Sequence, residues 1–560
     1  MISWLLLLAQ AAADPHDWPM YNRDARGWRH NDAERRLSPE TVPGLEEKWR
    51  FPADGSGEIV GAIHATPVVV NGHVYFGTAT HTAFYKLRPD GTPAWVYRPG
   101  KKEAKDRPPG SPAPNFLSPQ EGFLASALVV GNRVYAGDVA GVFTALDRAT
   151  GKVVWEVDSR AAGFPDAHAA NTFMASPIPA GGKIVVGGGG YEHPHPLNPL
   201  YACCTGRGFV VAFEPETGAI AWKYDVGPRP EKFDKPIVLE DANGKHVFTC
   251  GPATSSVWST PSYDRETASI YFGTDVQNSP RKPTPDDPRP DTVYSSAVIA
   301  LDAATGREKW VTQINRGDVF NLKMSSYDPV TKRYKDQSVG DTPKLYDIDL
   351  DGSRTRVLGF GCKNGGYYLA RADDGRILAQ TPVYLGPPDD PLTPPPDPRT
   401  LALPSPIGGL QTGCATDGTR VFTNGIDHIQ LGVRRGVGGA PTGGRVACLS
   451  PSTDRELWRH ERPKVGASGD PVGSGIALAG GVAFFTTTVS GRLVALEAAT
   501  GRVLKEIEIG TVWSGPSVSR GRVYVGTGSV LFYGKQDKGT LRSFGLPGED
   551  EVGRMGRGDE

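Results

Sequence analysis

"ALDRATGKVVW" runs from Ala145 to Trp155, and the same frame returns as "AFEPETGAIAW" from Ala212 to Trp222 and "ALDAATGREKW" from Ala300 to Trp310. Each copy is an alternating apolar stretch, a Thr-Gly turn and a second stretch that closes on tryptophan. Alternation with period two buries one face of a strand, the glycine supplies the positive φ of the turn, and the tryptophan is a large apolar plug whose indole N–H needs a partner. Weaker copies keep the frame: "KLRPDGTPAW" ends at Trp95, "LARADDGRILA" at Ala379, "CLSPSTDRELW" at Trp458 and "ALEAATGRVLK" at Lys505. Ahead of them lie stretches such as "PVVVNGHVYFGT" (Pro67 to Thr78), "ALVVGNRVYAGD" (Ala127 to Asp138) and "VSRGRVYVGTGS" (Val518 to Ser529). One unit therefore reads strand, tight turn, strand, loop, strand, Asp/Thr-Gly turn, strand.

A four-stranded sheet of this kind cannot bury both faces alone, and repeated at this scale it closes radially into a propeller. The frame occurs eight times, the last over roughly residues 515 to 546, which ends "TLRSFGL" without a tryptophan strand. "LEEKWRF" (Leu45 to Phe51) is a tryptophan strand that belongs to no earlier unit. The expectation is an all-β chain: one eight-bladed β-propeller with Trp-docking repeats over 14–546, the last blade closed by this N-terminal strand, and a polar tail over 547–560.

Composition agrees. The 560 residues carry 61 Lys and Arg against 62 Asp and Glu, a net charge of −1, which excludes a broad basic footprint for nucleic acid. Hydrophobic residues are 38%, charged residues 22% and mean hydropathy −0.34, as in a soluble globular protein. Gly 70 and Pro 49 make up about a fifth of the chain, as expected where strands turn every few residues. "WLLLLAQAAA" (Trp4 to Ala13), followed by Asp14-Pro15, reads as a signal peptide over 1–13 cleaved after Ala11 or Ala13, although "MIS" ahead of it has no Lys or Arg. The expected location is periplasmic or secreted. No other apolar run approaches the roughly eighteen residues of a membrane span.

Six cysteines, an even count, suit an oxidising compartment, with about fifteen pairings open. Cys203 and Cys204 are adjacent, and two neighbouring thiols can close only a strained, redox-labile ring. There is no C-x-x-C-H for a c-type haem. Insertions fall at 99–125, 193–202, 228–257, 279–293 and 384–410; the last contains "GPPDDPLTPPPDPRT", which either lines a mouth or decorates the surface.

From "WPMYNRDARGWRHN" (Trp18 to Asn31) onward the sequence resembles the pyrroloquinoline quinone (PQQ) dependent alcohol dehydrogenases, and among them the polyvinyl alcohol dehydrogenase-like branch. In "VVGGGGYEHPHPLNPLYACCTGRGFVVAF" (Val185 to Phe213) the resemblance implies Glu192 as a Ca²⁺ ligand, a glycine run including Gly188 that admits a flat cofactor, and Arg207-Gly208 resuming the blade. It implies that Cys203-Cys204 is a vicinal disulfide over one face of the quinone. In "VWSTPSYDRETASIYFGTDVQN" (Val257 to Asn278), Trp258 is the implied cofactor floor, Thr260 stands where the family has a second Trp, and Thr274-Asp275-Val276 replaces Thr-Gly-Asn. Asp275 or Asn278 would then supply the missing oxygen ligand.

"INRGDVFNLK" (Ile314 to Lys323) resembles the family segment whose aspartate is metal ligand and base, so Asp318 takes that place, with Phe320 for a Trp. In "GFGCKNGGYYLARADDGR" (Gly359 to Arg376), Lys363 would stabilise the reduced oxyanion and Asn364 would contact the quinone. His64, opening the first inner strand, would contact the cofactor carboxylates. The implied function is an exported quinoprotein that oxidises an alcohol, with a secondary or a polymeric one among the candidates, using PQQ and Ca²⁺ and passing electrons to a separate acceptor such as a cytochrome c. The alternative is a non-catalytic propeller serving as scaffold or binding module.

Overall fold

The computed structural model describes residues 14–100, 121–192, 204–278, 291–321, parts of 324–334, 336–383, 408–428, 441–530 and 536–548, apart from 242–243, 252–254, 412 and 467. The expected signal segment, Cys203, most of the insertions and most of the tail lie outside the described residues.

Eight mainly antiparallel sheets of four or five strands follow one another, with three further two-stranded ribbons, and no α-helix occurs among the described residues. Blades 1 to 8 begin with inner strands Val68–Val70, Leu128–Val130, Ile178–Ala180, Ser262–Asp264, Lys344–Leu350, Ala415–Thr416, Ala477–Ala479 and Ser517–Ser519. In seven blades the chain then steps outward strand by strand. The eighth borrows its outer strand: Glu46–Phe51 pairs antiparallel with Leu541–Gly545, Phe51 opposite Leu541. The ring closes as expected from "LEEKWRF", and no sheet edge of blade 8 is left open at that seam.

The tryptophans explain why neighbouring blades stay together. Trp95 Nε1 donates to Arg148 O at 3.1 Å, Trp155 to Pro215 O at 2.9 Å and Trp222 to Ala303 O at 3.0 Å, each acceptor lying in the next blade. Trp49, Trp310 and Trp458 donate likewise to Pro89, Ala372 and Ala498. Each ring lies over the turn glycine of that next blade. A Cβ at Gly151 would stand 2.6 Å from Trp95, where φ is +72°, so that residue is glycine both for its conformation and for the space beneath an indole. Where the frame lacks tryptophan other groups make the seam. Thr381 Oγ1 donates to Thr453 O at 2.5 Å beyond Ala379, and Lys505 Nζ donates to Pro43 O at 3.0 Å.

The segment Trp18 to Asn31 runs round the ring along the inner strands. Val129 donates to Pro19 O, Tyr263 to Ala25 O, Leu345 to Arg26 O, Thr416 to Trp28 O and Leu478 to Arg29 O, at 2.7–3.0 Å, while Trp18 pairs with Val69. Asn31 Nδ2 reaches Val518 O at 2.9 Å. Seven of the eight inner strands thus hold one strap, and the buried Arg29 guanidinium pins it to Ile476 O and Pro516 O at 2.7 and 3.1 Å. Most of the sequence-predicted site residues follow second strands or precede inner strands, and so gather at one end of the propeller.

Candidate active site

Three consecutive residues, Asp336, Gln337 and Ser338, sit just ahead of the blade 5 inner strand and draw the predicted groups together. Lys363 Nζ donates to Asp336 Oδ2 at 2.8 Å. The Gln337 amide donates to Asp318 Oδ2 at 2.8 Å, where the Ser296 hydroxyl also donates at 2.9 Å. Ser338 donates its hydroxyl to Asp275 Oδ1. The main chain is tied as firmly: Lys363 N donates to Ser338 O at 3.1 Å, and Asn315 Nδ2 to Gln337 O at 2.6 Å. Asn315 Oδ1 in turn accepts from Asn364 Nδ2 at 2.9 Å. Asp275, Asp318, Lys363 and Asn364, from blades 4 and 5, therefore share one scaffold.

Asp318 and Glu192 are both fully buried. Glu192 follows the glycine-rich strand Lys183–Gly190, and its two oxygens accept Thr205 N at 3.1 Å and Gly206 N at 2.7 Å. A Cβ at Gly206 would stand 2.7 Å from Glu192 Oε2, so glycine is what lets the chain wrap the carboxylate. His168 Nε2 lies 3.9 Å from Glu192 Oε1 and 2.9 Å from Thr205 Oγ1. Tyr191, beside Glu192, is linked electrostatically to the 336–338 scaffold: burial, with Asp275 and Asp336 nearby, holds its hydroxyl above the ordinary phenol range.

The two oxygen-donor alternatives separate. Asp275 accepts the Ser256 hydroxyl at 3.1 Å on Oδ2, and the Val276 amide at 2.8 Å and the Ser338 hydroxyl on Oδ1; it knots blades 4 and 5. Asn278 Oδ1 is buried and receives no hydrogen bond, on a segment whose Gln277 pairs with Val319 next to Asp318. Among the described residues no group of three or more His, Cys, Asp or Glu forms a metal cluster.

The remaining predicted residues fall as follows. Trp258 is half-buried and lies across Gly340, while Thr260 Oγ1 accepts Ser176 N at 3.2 Å. Gly188 sits inside the blade, where a Cβ would meet Thr172 O at 2.7 Å and Phe209 at 2.8 Å, so its smallness serves packing within blade 3. Arg207 turns to Asp166 and Asp225, both at 3.2 Å, and to Gly227 O at 2.6 Å. His64 Nε2 accepts Val530 N at 3.0 Å, and burial pushes its pKa down to about 4; His64 is a neutral imidazole. Cys204 is buried under Phe248 of the hairpin Glu231–Asp241 and Gly244–Gly251, and its amide donates to Cys250 O at 2.8 Å. Cys250, Cys362, Cys414 and Cys448 are free thiols, and burial pushes Cys362, between Asp318 and Lys363, up to about 12.

Asp336, Ser338, Asn315 and Tyr191 were not anticipated from sequence. Asp336 lies in "KDQSVGDTP", which has no alternation and no repeat frame. Its one signal is position: it lies in the segment that leads into an inner strand, as His64 does.

Residues 18–382 match the family model described as glucose/ethanol/alcohol dehydrogenase, beta-propeller domain, and residues 442–544 match one described as outer membrane protein assembly factor BamB. The quinohemoprotein alcohol dehydrogenase of Comamonas testosteroni is 25% identical over 97% of this chain and 77% of its own length. The polyvinylalcohol dehydrogenase of Sphingopyxis sp. (strain 113P3) is 25% identical over 88% of this chain and 69% of its own length. Against two Pseudomonas putida quinohemoprotein alcohol dehydrogenases the chain spans 45% and 46% of their length. The solved structure of the Comamonas testosteroni enzyme superposes with a TM-score of 0.68 at 21% identity, covering 96% of this chain and 81% of that one. With the first family model covering more than half of the sequence, the chain belongs to the PQQ-dependent alcohol dehydrogenase family of β-propeller oxidoreductases.

Proposed function

We propose that this chain oxidises an alcohol with PQQ and Ca²⁺ in the periplasm or outside the cell, and hands the electrons to a separate carrier such as a cytochrome c. The observation that carries this reading is the 336–338 scaffold, which fixes two buried carboxylates and a lysine from adjacent blades at one end of the propeller. A structural propeller has no need to hold these three groups together at one end of its channel.

When bound, PQQ supplies an ortho-quinone that accepts hydride and Ca²⁺ supplies Lewis acidity. Glu192, Asn278 and Asp318 are the residues that would hold the cation, and a buried amide oxygen without a hydrogen bond suits that task. Asp318 accepts the hydroxyl proton of the alcohol; Ser296 and the Gln337 amide grip one of its oxygens and so fix the carboxylate plane. Lys363, steadied by Asp336, places a positive charge where the reduced cofactor carries negative charge. The resemblance to the family implies that Cys203 and Cys204 bond to each other as a vicinal disulfide over the cofactor.

Export is supported by the apolar run Trp4 to Ala13, and no helix among the described residues is long and apolar enough to cross a membrane. The absence of C-x-x-C-H from the sequence supports a separate electron carrier. The test is reconstitution. Purified protein dialysed with PQQ and Ca²⁺ should retain the quinone absorbance, and chelation should release it. Retention without Ca²⁺, or none with it, would contradict the reading.

A further inference from the structure

The pentapeptide Val257-Trp258-Ser259-Thr260-Pro261 returns as Val512-Trp513-Ser514-Gly515-Pro516, ahead of the inner strands of blades 4 and 8, which face each other across the ring. Both serines are buried and both tryptophans half-buried. Each indole lies across a glycine that precedes the inner strand of a neighbouring blade. A Cβ at Gly340, before blade 5, would stand 1.8 Å from Trp258 Cη2 and 2.5 Å from Gln411 O. One at Gly473, before blade 7, would stand 3.3 Å from Trp513 Cη2 and 3.2 Å from Ile426 Cδ1. Neither glycine has a left-handed φ, so what the rings need there is the missing side chain rather than a special backbone.

The directions of the two rings matter. Trp258 reaches from blade 4 over blade 5 towards Gln411, while Trp513 reaches back from blade 8 over blade 7 towards Ile426. Gln411 and Ile426 both belong to blade 6, where Gly409 and Ile426 pair. The two indoles thus come round the axis in opposite senses and approach blade 6 from either side, at the same position in the repeat.

We propose that Trp513 is the second half of a two-ring floor, so that a flat conjugated cofactor rests on Trp258 and Trp513 together. This rests on the PQQ reading of the site. A single indole under a fused quinone leaves it free to tilt and slide, whereas a second ring displaced along the plane fixes its orientation relative to Asp318 and Lys363. Stacking on an aromatic side chain is sensitive to losing the ring and tolerant of exchanging one ring for another.

The test is equilibrium dialysis of the Ca²⁺-loaded protein against PQQ, read by quinone absorbance, with melting temperature in the absence of PQQ as the measure of folding. Trp258→Leu and Trp513→Leu keep an apolar side chain and lose the ring; each should weaken PQQ binding about tenfold. Trp513→Phe keeps a ring and should bind within a few-fold of the unsubstituted protein. Trp513→Leu binding PQQ as tightly as the unsubstituted protein, while Trp258→Leu is weakened, would overturn the two-ring floor and leave the cofactor reading standing. Equal weakening by Trp513→Phe and Trp513→Leu would also overturn it, because packing rather than stacking would then be at stake. If the unsubstituted protein binds no PQQ, the cofactor reading falls and this inference with it.

Discussion

Lys363 and Asp336 form an ion pair at 2.8 Å whose side chains are only 11% and 12% exposed, and the two residues that follow Asp336 hold Asp318 and Asp275. Removing either partner leaves a largely buried charge with less compensation. Lys363→Ala and Asp336→Asn should each lower stability, by about 3 kcal/mol at most, and the double variant should lose less than the sum. Urea denaturation of the four proteins measures the coupling; strict additivity would mean that the pair is not a unit. Lys363→Ala should also slow turnover and weaken PQQ retention.

His64 gives a pH dependence with a definite sign. Its folded pKa, about 4, is below the ordinary value of 6.5, so the folded state favours the neutral imidazole. The associated stability is fully present above pH 6.5 and is lost as pH falls through that range towards 4, by on the order of 3 kcal/mol. His64→Gln cannot titrate and should flatten this part of the melting temperature profile. An unchanged slope between these pH values would show that His64 is not the group responsible.

Two glycines separate turn conformation from docking. Gly131 and Gly151 both have positive φ, but nothing lies within 4 Å of a Cβ at Gly131, whereas one at Gly151 meets Trp95 at 2.6 Å. Gly131→Ala should cost about 1 kcal/mol, the price of the backbone conformation alone. Gly151→Ala should cost clearly more, because the indole and its hydrogen bond to Arg148 O must shift. Equal melting temperatures would remove docking as the reason for that glycine.

The propeller was legible because each blade writes its seam into the chain: the Thr-Gly turn and the tryptophan are two halves of one contact between neighbours. It was less legible at Ala379 and Lys505, where Thr381 and Lys505 itself make seams through side-chain hydrogen bonds that have no fixed spacing. Glu192, Asp318 and Lys363 could be singled out by resemblance because they sit at fixed places relative to strands. Asp336 could not, since its partner is 27 residues away in another loop. The glycine run misled in one respect. Gly188 faces Phe209 and Thr172, and it is Gly206 that makes room for the Glu192 carboxylate. Nothing in the spelling of Thr274 to Asn278 separates a knot of hydrogen bonds at Asp275 from a buried oxygen at Asn278; only their neighbours do.

Alcohol-dependent dye reduction by protein loaded with PQQ and Ca²⁺, measured beside Asp318→Asn loaded to the same quinone content, tests the catalytic role of this site most directly. The unsubstituted protein should reduce the dye with at least one primary, secondary or polymeric alcohol, and Asp318→Asn should be slower by about 10²–10⁴-fold, as expected for a lost general base, with an unchanged melting temperature. A loaded protein that reduces no dye with any of these alcohols, or an Asp318→Asn variant that turns over at the unsubstituted rate, would contradict it.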